Sequence, residues 1–269
     1  MTNVWEQAMT PFRVAEGLYF VGTIPASAHL IDTGDGLILL DSGYPETLYL
    51  ILDGIYRLGF DPRDIKYILH SHGHIDHVGG TRALVALTGA KTILGRQDED
   101  YVTGKRDLSF AKELGMTFEG FFQPDILLSD GDEIRLGNTV ITCLHTPGHT
   151  EGTMSYFFTV NDKGRTLRVG THGGVGMNTM GRRFLEKYGL PLTLRDDFRA
   201  GLHRLQKEQV DIFIGNHQDQ CDTLGKSARI LAGEADAFVD STAWGKYLAE
   251  CEHNLDALLE KEAAQGGAK

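Results

Sequence analysis

The stretch Tyr67-Ile68-Leu69-His70-Ser71-His72-Gly73-His74-Ile75-Asp76-His77 sets an apolar run, suited to a buried strand, directly before four potential metal ligands within six residues. Neutral imidazoles and a carboxylate suit zinc, and a short loop at a strand end can aim alternate side chains into one cavity without breaking the sheet. Three histidines and an aspartate this close would repel protons and desolvate poorly unless a cation organised them. Three further histidines stand at comparable places, each after a stretch that reads as a strand: His149 in Thr146-Pro147-Gly148-His149-Thr150, His172 in Thr171-His172-Gly173-Gly174, and His217 in Gly215-Asn216-His217. His29, His203 and His253 stand apart and read as ordinary hydrogen-bonded histidines.

Outward from this loop, the chain alternates strands and helices. Leu18 to Thr23, Ser27 to Ile31 and Leu37 to Asp41 read as a β-meander, with Asp32-Thr33-Gly34-Asp35-Gly36 as a turn. Pro45 opens a helical pattern through Leu48, Leu52, Ile55 and Leu58 that stops at Gly59. Gly79 to Leu87 reads as a helix and Lys91 to Leu94 as a strand. In the second half Glu133 to Leu136, Thr139 to Leu144, Met154 to Val160, Leu167 to Val169 and Asp211 to Ile214 read as strands. Thr193 and Asp196 have capping-box spacing ahead of Leu194, Phe198, Leu202 and Leu205. Trp244, Leu248, Cys251, Leu255 and Leu258 share one face of a C-terminal helix expected at about 241–262. No repeat or linker divides residues 1–269, so one domain is expected.

Composition narrows the function classes. The 269 residues carry 26 Lys and Arg against 37 Asp and Glu, a net charge of −11, which disfavours nucleic acid as a partner because that affinity comes mainly from cations displacing counterions. Apolar stretches such as Leu37 to Leu40 fall far short of the ~20 residues that span a bilayer, so no membrane partner is expected. Met1 to Phe20 lacks an apolar signal region, giving a cytoplasmic expectation, or a periplasmic or secreted one if a leader was trimmed. Cys143, Cys221 and Cys251 are odd in number and contain no CxxC pair, so buried thiols are expected rather than a disulfide framework. Glycine, 33 of 269 residues, is about 12% against roughly 7% on average and gathers in the loops.

The HxHxDH motif with single histidines after later strands resembles the metallo-β-lactamase superfamily. The likeness runs from Asp41-Ser42-Gly43 to Gly215-Asn216-His217. Pro11-Phe12-Arg13 with Leu18 to Thr23, and Gly59-Phe60-Asp61-Pro62-Arg63-Asp64-Ile65, are most similar to its third subclass. That resemblance implies an α/β four-layer αβ/βα sandwich, the metallo-β-lactamase fold, with two zinc ions at one edge of the sheets. Carried over by position, His72, His74 and His149 would bind the first Zn²⁺, and Asp76, His77 and His217 the second. The implied chemistry is hydrolysis of a small-molecule substrate by a metal-bound hydroxide that opens a cyclic amide, β-lactam foremost, with Asp76 also helping to deliver a proton. Asp41 would support a metal-binding imidazole, and His70 and His145 are placed to do the same or to pack beneath the site.

One departure bears on substrate. Many hydrolases of the superfamily place a bridging aspartate where this chain reads Val169-Gly170-Thr171-His172-Gly173-Gly174. The third subclass also lacks it, yet the small polar residues that subclass uses there are replaced by glycines, and His172 is left outside the ligand set. Pocket walls are expected from Gly104 to Gln123 and Gly176 to Leu192, with Phe121, Met177, Asn178 and Phe184 as substrate contacts forming a hydrophobic rim. A lactonase, esterase or thioesterase is the alternative enzyme. A metal-binding interaction module without catalysis is the alternative of another class.

Overall fold

A computed structural model describes residues 4–266; the first and last three residues of the expected domain lie outside the described residues. Strands β1 (Phe12–Ala15), β2 (Leu18–Phe20), β3 (His29–Asp32) and β4 (Leu37–Leu40) form an antiparallel meander. It continues in parallel through β5 (Ile65–Leu69), β6 (Lys91–Gly95) and β7 (Ile126–Leu128) into one seven-stranded sheet. A second sheet of five strands has the order β12 (Ile212–Phe213), β11 (Arg165–Thr171), β10 (Met154–Asp162), β9 (Thr139–His145) and β8 (Glu133–Leu136).

Alternation along the strands builds the layers. Ile31, Ile38, Leu40, Leu69 and Ile93 join the large core shared with Ile141, Cys143 and Phe158 of the second sheet. Their neighbours Leu30, Leu37, Leu39 and Ile68 point the other way, onto Ile51 and Ile55 of α1 (Leu48–Arg57) and, past the short α2 (Ile75–Val78), onto Leu84 of α3 (Thr81–Thr88). After α4 (Glu99–Val102) and α5 (Arg182–Tyr188), α6 (Leu194–Leu205) presents Phe198, Leu202 and Leu205 to the core from outside the second sheet. α7 (Thr223–Leu231) precedes α8 (Ala243–Gly266). Trp244, Leu248, Cys251 and Leu255 of α8 are buried, the Trp244 indole N–H donating to the Leu205 carbonyl at 3.0 Å. Each large apolar side chain so buried contributes about 1.5–3 kcal/mol, which docks the helix. The result is the mixed α/β, two-sheet arrangement of the expected class.

Differences from the sequence expectations are local. β1 and β7 are short strands of four and three residues, below the length at which alternation is legible. The stretch 176–192 contains α5, ended by Gly189 at φ +63, and so is not an irregular wall. Thr193 precedes α6 but its side chain makes no cap bond; its own backbone is already helical, which turns the hydroxyl away from the first-turn N–H groups. All three cysteines are buried and free. Among the described residues no helix is long and apolar enough to cross a membrane.

Candidate metal centre

The chain ends of β4, β5, β9, β11 and β12 bring the chemistry together. After β4, Asp41 is buried in the left-handed region at φ 62, a conformation uncommon for a residue with a Cβ, and its carboxylate serves three donors. It accepts from the Ser71 backbone N–H at 2.7 Å, the Ser71 hydroxyl at 2.8 Å and His77 Nδ1 at 2.8 Å. Ser42 ties down the same loop by donating N–H and hydroxyl to the His77 carbonyl. His70 lies beneath, its ring nitrogens meeting the Ile93 carbonyl and the Thr81 hydroxyl, while His145 Nε2 faces the Glu151 carbonyl at 2.8 Å.

Four of the histidines are fixed in the same sense. His72 Nδ1 faces the Gly173 carbonyl at 2.7 Å, His149 Nδ1 the Gly176 carbonyl at 2.9 Å, His217 Nδ1 the Pro25 carbonyl at 2.9 Å, and His77 Nδ1 the Asp41 carboxylate. An oxygen of this kind only accepts, so each Nδ1 carries a proton; the Nε2 atoms of His72, His149 and His217 are then lone pairs turned into one space, while His77 Nε2 faces the Asp76 carboxylate. His72 Nε2 is buried without any hydrogen-bond partner. His77 Nε2 and His217 Nε2 stand 3.3 Å apart, and His74 Nδ1 stands 3.1 Å from His149 Nε2. Lone pairs do not gather in this way without a cation to share, so the donor set fits metal ions. The donor atoms of His72, His74 and His149 lie within 4.8 Å of one another, as do those of His72, Asp76 and His77. Asp76 Oδ2 completes a second triangle, 3.2 Å from His77 Nε2 and 3.5 Å from His217 Nε2.

Electrostatics agree with this assignment. Burial and then the neighbouring imidazoles hold His72 and His74 well below the ordinary histidine range, and burial brings His149 down to about 4, so all three are neutral, ligand-competent bases. Burial works against charge on Asp76, but His77, His217 and His74 outweigh it and keep the carboxylate ionised. His77 differs: burial opposes charge on it, yet Asp76 and Asp41 overcome this and push its pKa up to about 10, so a cation bound there would take the place of a proton between His77 and Asp76.

The centre opens into a cleft of about 650 Å³. Of the four expected substrate contacts, Met177 and Asn178 line it. Phe184 does not reach it directly; its ring supports Phe110, 5.8 Å away, which lines the cleft and lies 5.3 Å from the His74 ring. Phe121 stands apart from the cleft. It is 41% exposed and packs against Phe118 beside Gly104, in a hollow separate from the cleft, because the backbone turns at Phe110 (φ 64) and delivers Phe110 and Leu114 to the site instead. His172 is buried beside Phe198, its Nδ1 accepting from the Gly174 N–H at 3.2 Å and its Nε2 without a partner; burial lowers its pKa to about 3. The glycines beside it have a steric cause. A Cβ on Gly173 would lie 2.0 Å from the Met154 carbonyl oxygen, and one on Gly174 would strike the His149 ring at 2.7 Å.

Sequence reading missed Asp98. Fully buried after β6, it accepts from the Gly73 N–H at 2.8 Å, the Gly152 N–H at 2.6 Å and the Thr150 hydroxyl at 2.7 Å, lacing the His72–His77 loop to the His149 loop. Burial raises its pKa to about 6 against those bonds. It too follows a strand end, but its three donors are scattered along the chain and only the fold joins them.

The family model for the metallo-β-lactamase superfamily matches residues 21–206, more than half of the chain. The chain belongs to that superfamily and carries the fold and histidine-rich site of its metal-dependent hydrolases. Among solved structures it is similar to BJP-1, a subclass B3 metallo-β-lactamase of Bradyrhizobium japonicum, at 28% identity and TM-score 0.87 over 98% of both chains. It is likewise similar to native FEZ-1 metallo-β-lactamase from Legionella gormanii, at 29% identity and TM-score 0.88 over 96% of this chain and 98% of that one. Among curated relatives, an N-acyl homoserine lactonase of a Bacillus species is 27% identical over 168 residues, covering 54% of this chain. The chain spans only 62% of that relative's length.

Proposed function

We propose that the chain is a dinuclear zinc hydrolase that opens a cyclic amide, with β-lactams as the first substrate class. The observation that carries this reading is the convergence of unshared Nε2 atoms, the Asp76 carboxylate and a 650 Å³ cleft at one place. The likeness to subclass B3 enzymes over nearly the whole of both chains supports the choice of ring. Divalent ions held there would supply Lewis acidity at a carbonyl oxygen and a water acidified towards neutral pH.

The chain's own residues do the rest. His72, His74 and His149 would hold one ion and Asp76, His77 and His217 the other, every imidazole but that of His74 being oriented by the oxygen behind its Nδ1. Asp76 is the ligand carboxylate that borders the cleft, placed to hold a proton in transit to the leaving nitrogen. Phe110 and Leu114 present apolar surface that keeps bulk water from the reacting carbonyl.

A lactone is the second reading. It is supported by the N-acyl homoserine lactonase relative and by a cleft whose described lining contains no Lys or Arg to hold the ring carboxylate of a β-lactam. Turnover of a chromogenic β-lactam, an acylated lactone and a thioester, each with and without chelator, tests both. Chelator-sensitive opening of the β-lactam upholds the first reading; lactone opening alone replaces it with the second.

A further inference from the structure

The cleft surface not used by the six donors divides by chemistry. Tyr44, Phe110, Leu114 and Met177 bring apolar area, whereas the loop after β12 and one stripe of α8 bring Gln218, Asp219, Glu250 and Asn254. Tyr247, Glu250, Cys251 and Asn254 recur at helical spacing, so a single face of α8 supplies its share of the polar wall.

This wall is one-sided in charge. Three other acids of α8 are neutralised: Glu252 and Asp256 pair with Arg199, and Glu262 with Arg195. Asp219 and Glu250 have no ion-pair partner among the described residues, and no lysine or arginine lines the cleft beside them.

Independent of those carboxylates, two buried polar atoms of the lining have no hydrogen-bond partner, Asn216 Oδ1 and Gln218 Oε1, while the Tyr247 hydroxyl beside them turns to Cys251. Asn216 and Tyr247 are more than nine-tenths buried. The Asn216 amide cannot flip to hide its oxygen, because its Nδ2 donates to the Gly173 carbonyl at 2.6 Å. An unmet buried acceptor costs about 1–3 kcal/mol, and such atoms persist where a bound molecule completes them. Both unpartnered atoms are amide oxygens and can only accept a hydrogen bond.

We infer that this wall selects substrates bearing a cationic hydrogen-bond donor, a primary ammonium on the exocyclic substituent, and rejects substrates that place a carboxylate there. The inference rests on the ring-opening reading and adds its substrate class. The apolar half of the cleft takes the hydrocarbon part of the same substituent, while Asp219 and Glu250 meet its charge and the unpaired oxygens its N–H groups.

The test uses the metal-loaded full chain and three β-lactams, with three matching lactones, whose side chains differ only in carrying an ammonium, a hydrogen or a carboxylate. The expected order of kcat/KM is ammonium, neutral, carboxylate, with about tenfold between the first two for a pair of solvent-screened carboxylates. Added salt shrinks the gap. In the double variant Asp219→Asn with Glu250→Gln the ratio falls to about one. A neutral substrate equal to or better than its ammonium partner, or a preference that survives in the double variant, overturns the inference. If no ring is opened, the ring-opening reading fails by itself. Charge preference is then read from calorimetric dissociation constants of inert five-membered lactams with the same three substituents, and equal constants overturn the inference.

Discussion

At the strand ends, Asp41, Gly173, Gly176 and Pro25 each set an oxygen behind an imidazole, and the groups that do so are backbone carbonyls or a fully buried carboxylate. Around the rim, Phe110, Leu114, Met177, Asp219 and Glu250 come from loops and from one helix face, and the two acids are exposed. The floor is over-determined and the rim is not. A site built this way keeps its reaction type while its substrate changes through the rim, since the groups that touch substrate can vary without moving the donors.

Breaking the floor has the largest effect. His72→Ala or His74→Ala removes a donor from the buried set, and metal content by elemental analysis together with kcat/KM falls by more than the roughly 10–100-fold that losing an orienting partner costs. Full metal content in either variant breaks the comparison at once.

Asp98 comes next. Its pKa is raised from 3.8 to about 6 by burial, so between those values the folded chain holds a proton that the unfolded chain has released. The contribution is fully present below about pH 4 and is lost as pH rises through about 6. At ~1.4 kcal/mol per pKa unit the swing is about 3 kcal/mol. Urea unfolding of the chain and of Asp98→Asn should therefore differ by an amount that changes by this much between pH 4 and 7. A pH-independent difference would show that the lacing of the two loops does not depend on this carboxyl's charge.

Asp41→Asn keeps the size of the side chain but weakens its hold on His77, and metal affinity should fall by about 10–100-fold with little change in substrate KM. The rim gives the smallest effects. Phe110→Ala should raise KM by roughly tenfold through lost apolar contact, while Phe121→Ala should leave it within about twofold. Equal KM changes for the two phenylalanines would refute the division between the cleft and the separate hollow that holds Phe121.

How far the sequence reached follows the same division. The HxHxDH loop is legible because its donors are neighbours in the chain and the strand before it is an unbroken apolar run. The buried face of α8 was legible from its helical period, and β3 and β4 from short apolar runs joined by a turn. Asp98 was not, because its three donors come from Gly73, Thr150 and Gly152, and nothing in a linear reading joins these positions. Phe121 and Phe110 cannot be told apart in the sequence for a related reason. Both are aromatic residues in one irregular stretch, and only the left-handed turn at Phe110 decides which ring reaches His74.

The sequence by itself determined the layered α/β architecture, the family and the candidate metal donors, because apolar runs, helical period and ligand spacing are local properties of the chain. Tertiary structure alone decided which imidazole nitrogens face an oxygen, which carboxylates remain uncompensated and which aromatic ring borders the cleft. Those outcomes depend on hydrogen-bond partners and burial contributed by residues up to 192 positions away, as for His217 and Pro25.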